Sequence, residues 1–368
     1  MNLDDPPTPF LALDTSIMRA NVDRLRRHLD RHHTALRPHL KTAKSVEVAR
    51  LIGSPAITVS TVAEAEAFAG AGYADILYAV GIAPGKVGRL TALRSRGVDV
   101  TVLLDSVEQA AFAGAARLPA LIEVDCDGHR GGVRPDDPEL VAIAAALRDA
   151  GGEVRGVLTH AGESYFADGD DALRAAAEQE RRAAVDAAGA LRAAGFAAPV
   201  VSVGSTPTAH FAADLTGVTE VRAGNFVFFD LVMAGIGVCT AADLALSVVV
   251  TVIGHRRDKG WILTDGGWMA TSRDRGTRRQ PIDQRYGVVA DLDGNVLEDL
   301  LMVDASQEHG ILAVRPGHAA SLPELPIGAR VRILPNHACA TAAQHERYHV
   351  VARGARTVEA IWNRVRGW

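Results

Sequence analysis

Residues 56–80, AITVSTVAEAEAFAGAGYADILYAV, contain the pattern that decides the fold. A short, partly β-branched run at 56–60 is followed by an alanine-rich amphipathic stretch at 62–71 and by a second apolar run at 75–80. Short apolar runs of this kind predict buried strands, whereas the Ala and Glu content between them favours a helix. The stretch therefore predicts one strand, one helix and a second strand.

The same unit repeats from about residue 35 to about residue 223. We predict eight strands, at 35–40, 56–60, 75–80, 98–103, 120–125, 154–159, 199–203 and 219–223. Helical stretches separate most of them, for example at 137–150 and 171–194. Eight parallel strands predict an α/β fold with a closed (β/α)8 barrel. The main alternative is an open doubly wound sheet, but no G-x-G-x-x-G motif follows an early strand.

The texture of the sequence changes after about residue 235, where strand-like runs alternate with Gly, Pro and Asp turns. This pattern predicts a second domain of mostly antiparallel strands. The apolar stretch from Pro9 to Leu13 lies outside the βα repeat, and we predict that it adds a strand to the second domain. The predicted domains are a barrel at 14–234 and a β-rich domain formed by 1–13 and 235–368.

Composition narrows the class of protein. The 368 residues include 48% hydrophobic and 23% charged residues, which fits a globular protein and disfavours disorder and coiled coils. Because the 44 acidic residues outnumber the 39 basic ones, nucleic acid is not an expected partner. No secretory signal and no run of about 18 apolar residues is evident, so no membrane association is expected. Three widely spaced cysteines fit a reducing compartment, and we predict a cytoplasmic location.

The first predicted strand ends in the segment RPHLKTAK, residues 37–44. Reactive groups of a parallel barrel collect at the carboxyl ends of its strands. Lys41 is therefore predicted to point into the barrel mouth, where partial burial would lower its pKa and suit it to Schiff-base formation. An ordinary surface lysine is the alternative interpretation.

Small residues follow the seventh and eighth strands. Gly204, Ser205 and Thr206 come after one, and Gly224 and Asn225 come after the other. Loops of small residues with available backbone N–H groups at these two positions form the usual phosphate site of this fold. A simple turn is the alternative for either segment taken alone.

Polar and ring-bearing side chains follow the fifth and sixth strands, in the segments EVDCDGHRGG (123–132) and HAGESY (160–165). Arg130, flanked closely by glycines, is placed to reach a phenolate or a carboxylate. His160 and Tyr165 lie at the same predicted mouth, while Asp127 and Glu163 are predicted to lie in solvated loops.

The segment PNHACAT, residues 335–341, contains a candidate pair of metal ligands. If the segment is extended, residues two apart project to the same side, so His337 and Cys339 would bind one ion together. Imidazole and thiolate favour Zn²⁺, and only two protein ligands would leave positions open for water or substrate. Short H-x-C triplets also occur by chance.

These segments together, with RAGNFVFFD (222–230) and SQEHG (306–310), resemble the metal-activated, fold-type III pyridoxal-phosphate enzymes. That family includes D-serine dehydratase, D-threo-3-hydroxyaspartate dehydratase and D-threonine aldolase. The resemblance covers nearly the whole chain, with the motifs in the same order. It is specific for the family and less so for the substrate.

The resemblance implies roles for single residues. Lys41 matches the lysine that holds pyridoxal 5'-phosphate, Arg130 an arginine near its phenolic oxygen, and Tyr165 a tyrosine beside its ring. The remaining implied cofactor contacts are His39, His160, Gly204, Ser205, Thr206, Gly224 and Asn225. His337 and Cys339 match the ligands of a divalent metal, with Zn²⁺ favoured over Mn²⁺, Co²⁺ and Mg²⁺. A homodimer is also implied, because the family completes each barrel with the second domain of the partner.

Departures from the family pattern influence the predicted reaction. Ala43 stands where the lysine motif often has histidine, and Phe229 stands where tyrosine is frequent. The aldolases tend to carry H-x-D at the metal, so the H-x-C pair here favours dehydration of a β-hydroxy D-amino acid to a 2-oxo acid and ammonia. Retro-aldol cleavage to glycine and an aldehyde is the alternative. Arg273 and Arg275 are candidates for a second substrate carboxylate, which would suit 3-hydroxyaspartate.

Two other functions remain open. A cofactor-carrying protein would share the barrel and its lysine, but it would not need residues 235–368. A racemase would need a second acid/base, for which Tyr286 or Tyr348 is the candidate, and it would leave the His337 and Cys339 pair unexplained. Neither a carrier nor a racemase should depend on a metal.

Overall fold

The computed structural model describes residues 1–368, which divide into two compact units. The unit called here the barrel unit consists of Arg24–Gly224 and Val365–Trp368. The unit called here the β-rich unit consists of Met1–Asp23 and Asn225–Arg364. None of the helices combines the length and the apolar character that crossing a lipid bilayer would require.

Seventeen strands and eleven α-helices make up the regular structure. The strands are β1 (Phe10–Asp14), β2 (Ala35–Leu36), β3 (Ala56–Val59), β4 (Asp75–Gly81), β5 (Asp99–Leu104), β6 (Pro119–Val124), β7 (Glu153–Thr159), β8 (Val200–Val203), β9 (Glu220–Val221), β10 (Leu246–Arg256), β11 (Trp261–Thr264), β12 (Gly287–Ala290), β13 (Val296–Ala305), β14 (Gly310–Val314), β15 (Arg330–Pro335), β16 (Arg347–Val351) and β17 (Ala360–Asn363). The helices are α1 (Thr15–Arg31), α2 (Val46–Ile52), α3 (Val62–Gly70), α4 (Pro84–Ser95), α5 (Val107–Ala115), α6 (Glu139–Asp149), α7 (Asp170–Ala193), α8 (Thr206–Phe211), α9 (Leu231–Gly235), α10 (Trp268–Thr271) and α11 (Ala338–Ala343).

The barrel unit contains a parallel sheet in the order β2-β9-β8-β7-β6-β5-β4-β3. The two edge strands of this sheet, β2 and β3, are joined just beyond β2, where His39 forms a parallel bridge with Thr58 of β3. Two hydrogen bonds support that closure, from Leu40 N to Thr58 O at 2.8 Å and from Thr58 N to Pro38 O at 2.9 Å. The predicted (β/α)8 barrel is therefore confirmed, and each predicted strand overlaps an observed one.

Local sequence explains the helices between the strands. Thr61 accepts a hydrogen bond from Glu64 N at the start of α3, and Ser106 accepts one from Gln109 N at the start of α5. Such side-chain caps satisfy backbone donors that have no partner within the helix. Inside the barrel, leucines from four adjacent strands pack in one cluster, which consists of Leu77, Leu103, Leu121 and Leu158.

Charged residues occupy the amino-terminal end of the barrel. Arg37 donates to Asp75 at 2.8 Å and to Glu220 at 2.7 Å, and Arg155 donates to Asp99 at 2.8 Å. Arg37, Asp75, Arg155 and Glu220 line a cavity of about 260 Å³. Ion pairs at this end of a barrel serve stability, which leaves the carboxyl end for chemistry.

The β-rich unit contains a nine-stranded sheet in the order β11-β14-β13-β12-β15-β10-β1-β16-β17. A further pairing of β11 with β10 closes the first six strands into an antiparallel barrel. The predicted strand near the amino terminus is β1, which pairs antiparallel with β10 and parallel with β16. The mostly antiparallel second domain is thereby confirmed.

The division between the units falls earlier than the predicted limit at 234. Asn225 to Gly235 group with the β-rich unit because Asp230 accepts hydrogen bonds from Asn225 Nδ2 at 2.7 Å and from Ala338 N at 2.9 Å. The first half of α1 also belongs to that unit, where Asn21 donates to Asp243 O at 2.8 Å. Long-range contacts of this kind do not affect local hydrophobic periodicity, so the periodicity could not indicate this boundary.

Candidate active site

The predicted barrel residues lie where strands end at the carboxyl face. His39 and Lys41 follow β2, Arg130 follows β6 and His160 follows β7. The positive charges of Lys41, Arg222 and Arg130 all lower the pKa of His39 and of His160. These side chains therefore lie close together at one electropositive end of the barrel. Positive charge of this kind attracts an anionic ligand.

Both histidines at this mouth are neutral. Burial, the largest cause, lowers the pKa of His39 well below its ordinary value and lowers that of His160 to about 3. His160 Nδ1 lies 3.1 Å from Gly204 O, so this nitrogen carries the proton and Nε2 is an acceptor. The ring of Tyr165 lies 6.3 Å from that of His160, centroid to centroid.

Lys41 differs from its prediction in one respect. The residue is exposed in the single chain rather than partly buried. It lies beyond the end of β2, where the barrel opens. Arg130 is also largely exposed, with Nη2 donating to Glu123 Oε1 at 2.9 Å.

A close backbone contact and a helix cap define the Gly204–Thr208 turn. Gly204 has a φ of 147°, and a Cβ there would lie 1.8 Å from Arg222 O, so only glycine permits this approach of the backbones. Ser205 caps α8 with a complete capping box to Thr208. Thr206 is buried, yet its Oγ1 has no hydrogen-bond partner. A buried hydroxyl without a partner is costly, so a ligand oxygen at this position would satisfy it.

The second predicted loop also depends on glycine. A Cβ on Gly224 would lie 2.8 Å from His39 O and 3.1 Å from Thr42 Oγ1. The side chain of Asn225 contacts Asp230, to which Nδ2 donates, and its buried Oδ1 has no partner. An acceptor oxygen cannot bind a phosphate oxygen, so only the backbone N–H of Asn225 suits that ligand.

Hydrogen bonds join the loop after β6 to the loop after β7, both of which were expected to be solvated. His129 Nδ1 lies 2.9 Å from Glu163 Oε1, and Asp127 Oδ2 accepts from Glu163 N at 2.9 Å. The ring of His129 also covers Gly162, where a Cβ would lie 2.2 Å from His129 Cδ2. Asp127 and Glu163 thus fix the loops on which Arg130 and Tyr165 stand.

The predicted metal pair lies in the β-rich unit, but not on an extended segment. His337 immediately precedes α11, and Cys339 lies in the first turn of that helix. The helix begins here because the segment is rich in alanine after Pro335 ends β15. The side chains nevertheless meet, since a hydrogen bond to Cys339 contributes to the shifted pKa of His337.

The surroundings of His337 are negatively charged. Burial disfavours its protonation, but the charge of Cys339, hydrogen bonds to Asp274 and Cys339, and the charge of Asp230 raise its pKa to about 11. His337 Nδ1 lies 2.6 Å from Asp274 Oδ2. No group of three or more His, Cys, Asp and Glu side chains is arranged to hold a metal. The site therefore offers two soft or borderline ligands in a field that attracts a cation.

The arginines proposed for a second carboxylate are already engaged. Arg275 donates to Asp283 Oδ2 at 2.7 Å and stacks on Tyr286. Arg273 stacks on Trp268, with its guanidinium carbon 5.0 Å from the ring centroid. Arg273 is consequently the better candidate of the two.

Tyr348, one of the two tyrosines considered for a racemase, is poorly suited to proton transfer. Tyr348 is fully buried, and its hydroxyl accepts from Arg364 Nε at 2.9 Å. Burial raises the pKa of Tyr348 to about 12. A phenol with that pKa is a weak acid and is not a base at neutral pH.

Sequence reasoning missed Glu180, which is fully buried on α7. Its Oε1 accepts from Gly204 N at 2.9 Å, Ala161 N at 3.1 Å and Thr159 Oγ1 at 3.2 Å, and its Oε2 accepts from Thr208 Oγ1 at 2.6 Å. The available signal was helical phase, because buried positions include Leu173, Ala177, Glu180, Ala184 and Leu191. Asp274 was also missed, since nothing in the sequence joins it to His337.

Comparisons with known proteins identify the family of the chain. A sequence model of the alanine racemase N-terminal domain matches residues 13–232, and a model of the serine dehydratase domain matches residues 245–351. The fold and these two matches thus define a fold-type III pyridoxal-phosphate enzyme. More narrowly, the chain belongs to the family of D-serine dehydratase, D-threo-3-hydroxyaspartate dehydratase and D-threonine aldolase.

Three relatives illustrate the range of the family. The D-threo-3-hydroxyaspartate dehydratase of Delftia sp. HT23 is 52% identical over 98% of each chain, and its structure superposes over the whole of both chains with a TM-score of 0.96. An alanine racemase-like protein of Idiomarina loihiensis is 44% identical, with a TM-score of 0.94 over 100% of this chain and 99% of the other. The D-serine dehydratase of Dictyostelium discoideum is 28% identical over 94% of this chain and 93% of its own.

Proposed function

We propose that the protein is a pyridoxal-phosphate- and divalent-metal-dependent dehydratase of β-hydroxy D-amino acids, with D-threo-3-hydroxyaspartate as its first candidate substrate. The products would be a 2-oxo acid and ammonia. The observation that carries this proposal is the His337 and Cys339 pair with Asp274 behind it, in a chain 52% identical to a dehydratase of that substrate.

The barrel unit supports pyridoxal phosphate as the cofactor. Lys41 would hold the aldehyde carbon, and the Gly204–Thr208 turn would hold the phosphate through Thr206 Oγ1. The electropositive mouth formed by Lys41, Arg130 and Arg222 suits the negative charges of the phosphate and the phenolic oxygen. The unpartnered buried hydroxyl of Thr206 is the observation that favours an anionic ligand at this turn.

The β-rich unit supports a divalent metal, for which we propose Zn²⁺. Cys339 Sγ and His337 Nε2 would be its ligands, since Asp274 occupies His337 Nδ1. Structures of the Delftia dehydratase include a cysteine-to-alanine mutant in the metal-free form and a histidine-to-alanine mutant. The two mutated positions are two residues apart in that enzyme, as are His337 and Cys339.

When bound, pyridoxal phosphate supplies a sink for the electron pair at the α-carbon, and the metal supplies a Lewis acid for the departing hydroxyl. Lys41 Nζ would take the α-proton, since it is the amine at the mouth of the barrel. His160 and His39 stay neutral there because burial lowers the pKa of each, so neither adds a positive charge beside Lys41. Asp274 would keep His337 in the tautomer that presents Nε2.

We further propose that the protein acts as a homodimer. Lys41 and Arg130 are exposed in the single chain. Water must be excluded from around a reactive cofactor, and a second copy would cover both residues. Light scattering during size-exclusion chromatography should give twice the mass of the chain, whereas a monomeric and active protein would contradict this part of the proposal.

The reaction is tested by incubating the protein with pyridoxal phosphate, Zn²⁺ and D-threo-3-hydroxyaspartate. Dehydration should release one ammonia and one oxaloacetate per substrate, while retro-aldol cleavage would release glycine and glyoxylate without ammonia. D-serine and D-threonine in parallel reactions define the preference for the β-substituent. Glycine as the main product would overturn the dehydratase, and activity unaffected by a chelator would overturn the metal.

A further inference from the structure

The buried carboxylate of Glu180 joins three loops or strand ends behind the proposed phosphate site. Through Oε1 it fixes Gly204 N, Ala161 N and Thr159 Oγ1, and through Oε2 it accepts the 2.6 Å hydrogen bond from Thr208. No part of the proposed reaction uses this residue. A fully buried carboxylate is costly unless it is hydrogen-bonded, so the four bonds explain how it is tolerated.

Glu180 also accepts the proton of Thr208, one of three neighbouring hydroxyl groups whose hydrogen-bond directions can be assigned. Ser164 Oγ donates to Ala161 O at 2.6 Å, so the 2.9 Å contact between Ser164 and Ser205 must use the proton of Ser205. Thr208 donates its only hydroxyl proton to Glu180, which leaves its lone pairs to accept from Ser205 N at 3.1 Å. The hydroxyls of Ser164, Ser205 and Thr208 therefore all donate to partners within the protein. In this turn only Thr206 Oγ1 has no partner.

Resting on the proposed function of the barrel site, we propose that Glu180 is a positioning residue for the cofactor phosphate. It binds no ligand itself. By accepting from Gly204 N and Thr208 Oγ1, it holds the turn in the conformation that presents Thr206. It also lies close enough to the buried guanidinium of Arg222 to be the first of the charges that favour the protonated form of that arginine.

Replacement of Glu180 by Gln reverses one part of this arrangement. An amide has only one acceptor oxygen. The amide nitrogen must therefore face either Thr208 or the backbone donors, and the donors that it faces lose their acceptor. The loss of a charge-assisted hydrogen bond within the turn should weaken the binding of pyridoxal phosphate by about tenfold or more. Pyridoxal, which has the same aldehyde and no phosphate, should bind to Lys41 with little change.

The test compares the two ligands on the full-length chain freed of cofactor, with equilibrium dialysis as the readout. The matched control is Glu178→Gln, which removes a carboxylate from the same helix at the surface, where Glu178 pairs with Arg181 and Arg182. We expect Glu180→Gln to lower the affinity for pyridoxal phosphate only, and Glu178→Gln to alter neither affinity. Thr208→Val cuts the same network at its other end and should act like Glu180→Gln, which keeps the test decisive if the glutamine variant does not fold.

If the wild-type chain binds pyridoxal phosphate, either of two results would overturn the inference. One is an unchanged affinity of both variants for pyridoxal phosphate. The other is an equal loss of affinity for pyridoxal phosphate and pyridoxal, which would show that Glu180 only supports the fold. A wild-type chain that binds neither ligand would contradict the proposed function itself, and the inference with it.

Discussion

His337 Nδ1 lies 2.6 Å from Asp274 Oδ2, and the two residues are separated by 63 positions in the chain. The carboxylate can only accept, so Nδ1 keeps its proton, and Nε2 is the nitrogen that a metal would bind in place of a proton. A histidine ligand held in this way by a carboxylate is oriented before the metal arrives. Asp274 thus connects the loop after α10 to the proposed metal site.

Replacement of Asp274 by Ala should lower the affinity for Zn²⁺ by about tenfold to a hundredfold, because His337 loses the partner that fixes its tautomer. Competition with a chromophoric chelator measures this affinity directly. Asp258→Ala is the matched control, since Asp258 forms an exposed ion pair with Arg256 in the same unit. Equal affinities in the Asp274 variant and the wild type would show that the contact does not serve the metal.

Replacement of Cys339 by Ala should remove the bound metal and reduce turnover by at least about a hundredfold, since one of two proposed ligands is lost. Binding of pyridoxal phosphate, seen as the yellow absorbance of the protein, should persist. Metal content by atomic emission and ammonia release are the two measurements. Cys239→Ala, at a buried cysteine outside the pair, should retain both metal and turnover. Normal turnover of the Cys339 variant would refute the metal assignment.

Replacement of Lys41 by Ala should abolish covalent attachment of pyridoxal phosphate. The only comparable amine after β2 is that of Lys44, which lies 3.4 Å from the buried Glu64. Borohydride reduction followed by mass spectrometry should find the cofactor on Lys41 in the wild type and nowhere in the variant. Lys86→Ala, at a lysine that donates to Tyr78 at 2.6 Å, is the control and should keep the label.

Replacement of Arg37 by Ala should destabilise the chain by about 3 kcal/mol, since it leaves Asp75 and the buried Glu220 without their shared cation. Urea unfolding measures this loss. Arg134→Ala removes an arginine from an exposed pair with Asp136 and should cost less than about 1 kcal/mol. Equal effects of both substitutions would show that the ion pairs at the amino-terminal end contribute no special stability.

The sequence allowed the barrel to be predicted because its strands are apolar runs bounded by turns, and buried strands need little else to be recognised. The segments with Lys41, with Gly204 and with His337 could be proposed as sites because each has its candidate residues within a short stretch of sequence. Glu180 and Asp274 were not found, since each acts on a partner that is distant in the chain. Glu180 lies among Glu178, Arg181 and Arg182, so composition placed it on a solvated face and only helical phase distinguishes it.

The same limit applies to the local shape of the sites. His337 and Cys339 were expected on an extended segment, but α11 begins between them because Ala338, Ala340 and Ala342 favour a helix there. The exposure of Lys41 could not be predicted from its neighbours, since it depends on which other chain elements cover the end of β2. The local geometry of these motifs was therefore not predictable from their sequence.

The buried histidine His210 should make the cofactor-free protein sensitive to acid. Burial, its largest effect, lowers the pKa of His210 to about 4, while its Nδ1 lies 2.9 Å from Thr206 O. The unfolded chain therefore takes up a proton near pH 6.5, before the folded one does, and stability falls as the pH drops from about 6.5 towards 4. A pKa difference of this size corresponds to about 2 to 3 kcal/mol at the acid end of that range.

Urea unfolding of the cofactor-free chain at several pH values measures this effect. His210→Gln should unfold more easily at pH 7, where the imidazole packing is lost, but its stability should fall less between pH 6.5 and 4 than that of the wild type. His33→Gln, at an exposed histidine, is the control and should keep the wild-type slope. Parallel pH dependences for the His210 variant and the wild type would show that another group causes the acid sensitivity. His28, whose pKa burial also lowers and which lies beside His210, is then the next histidine to replace.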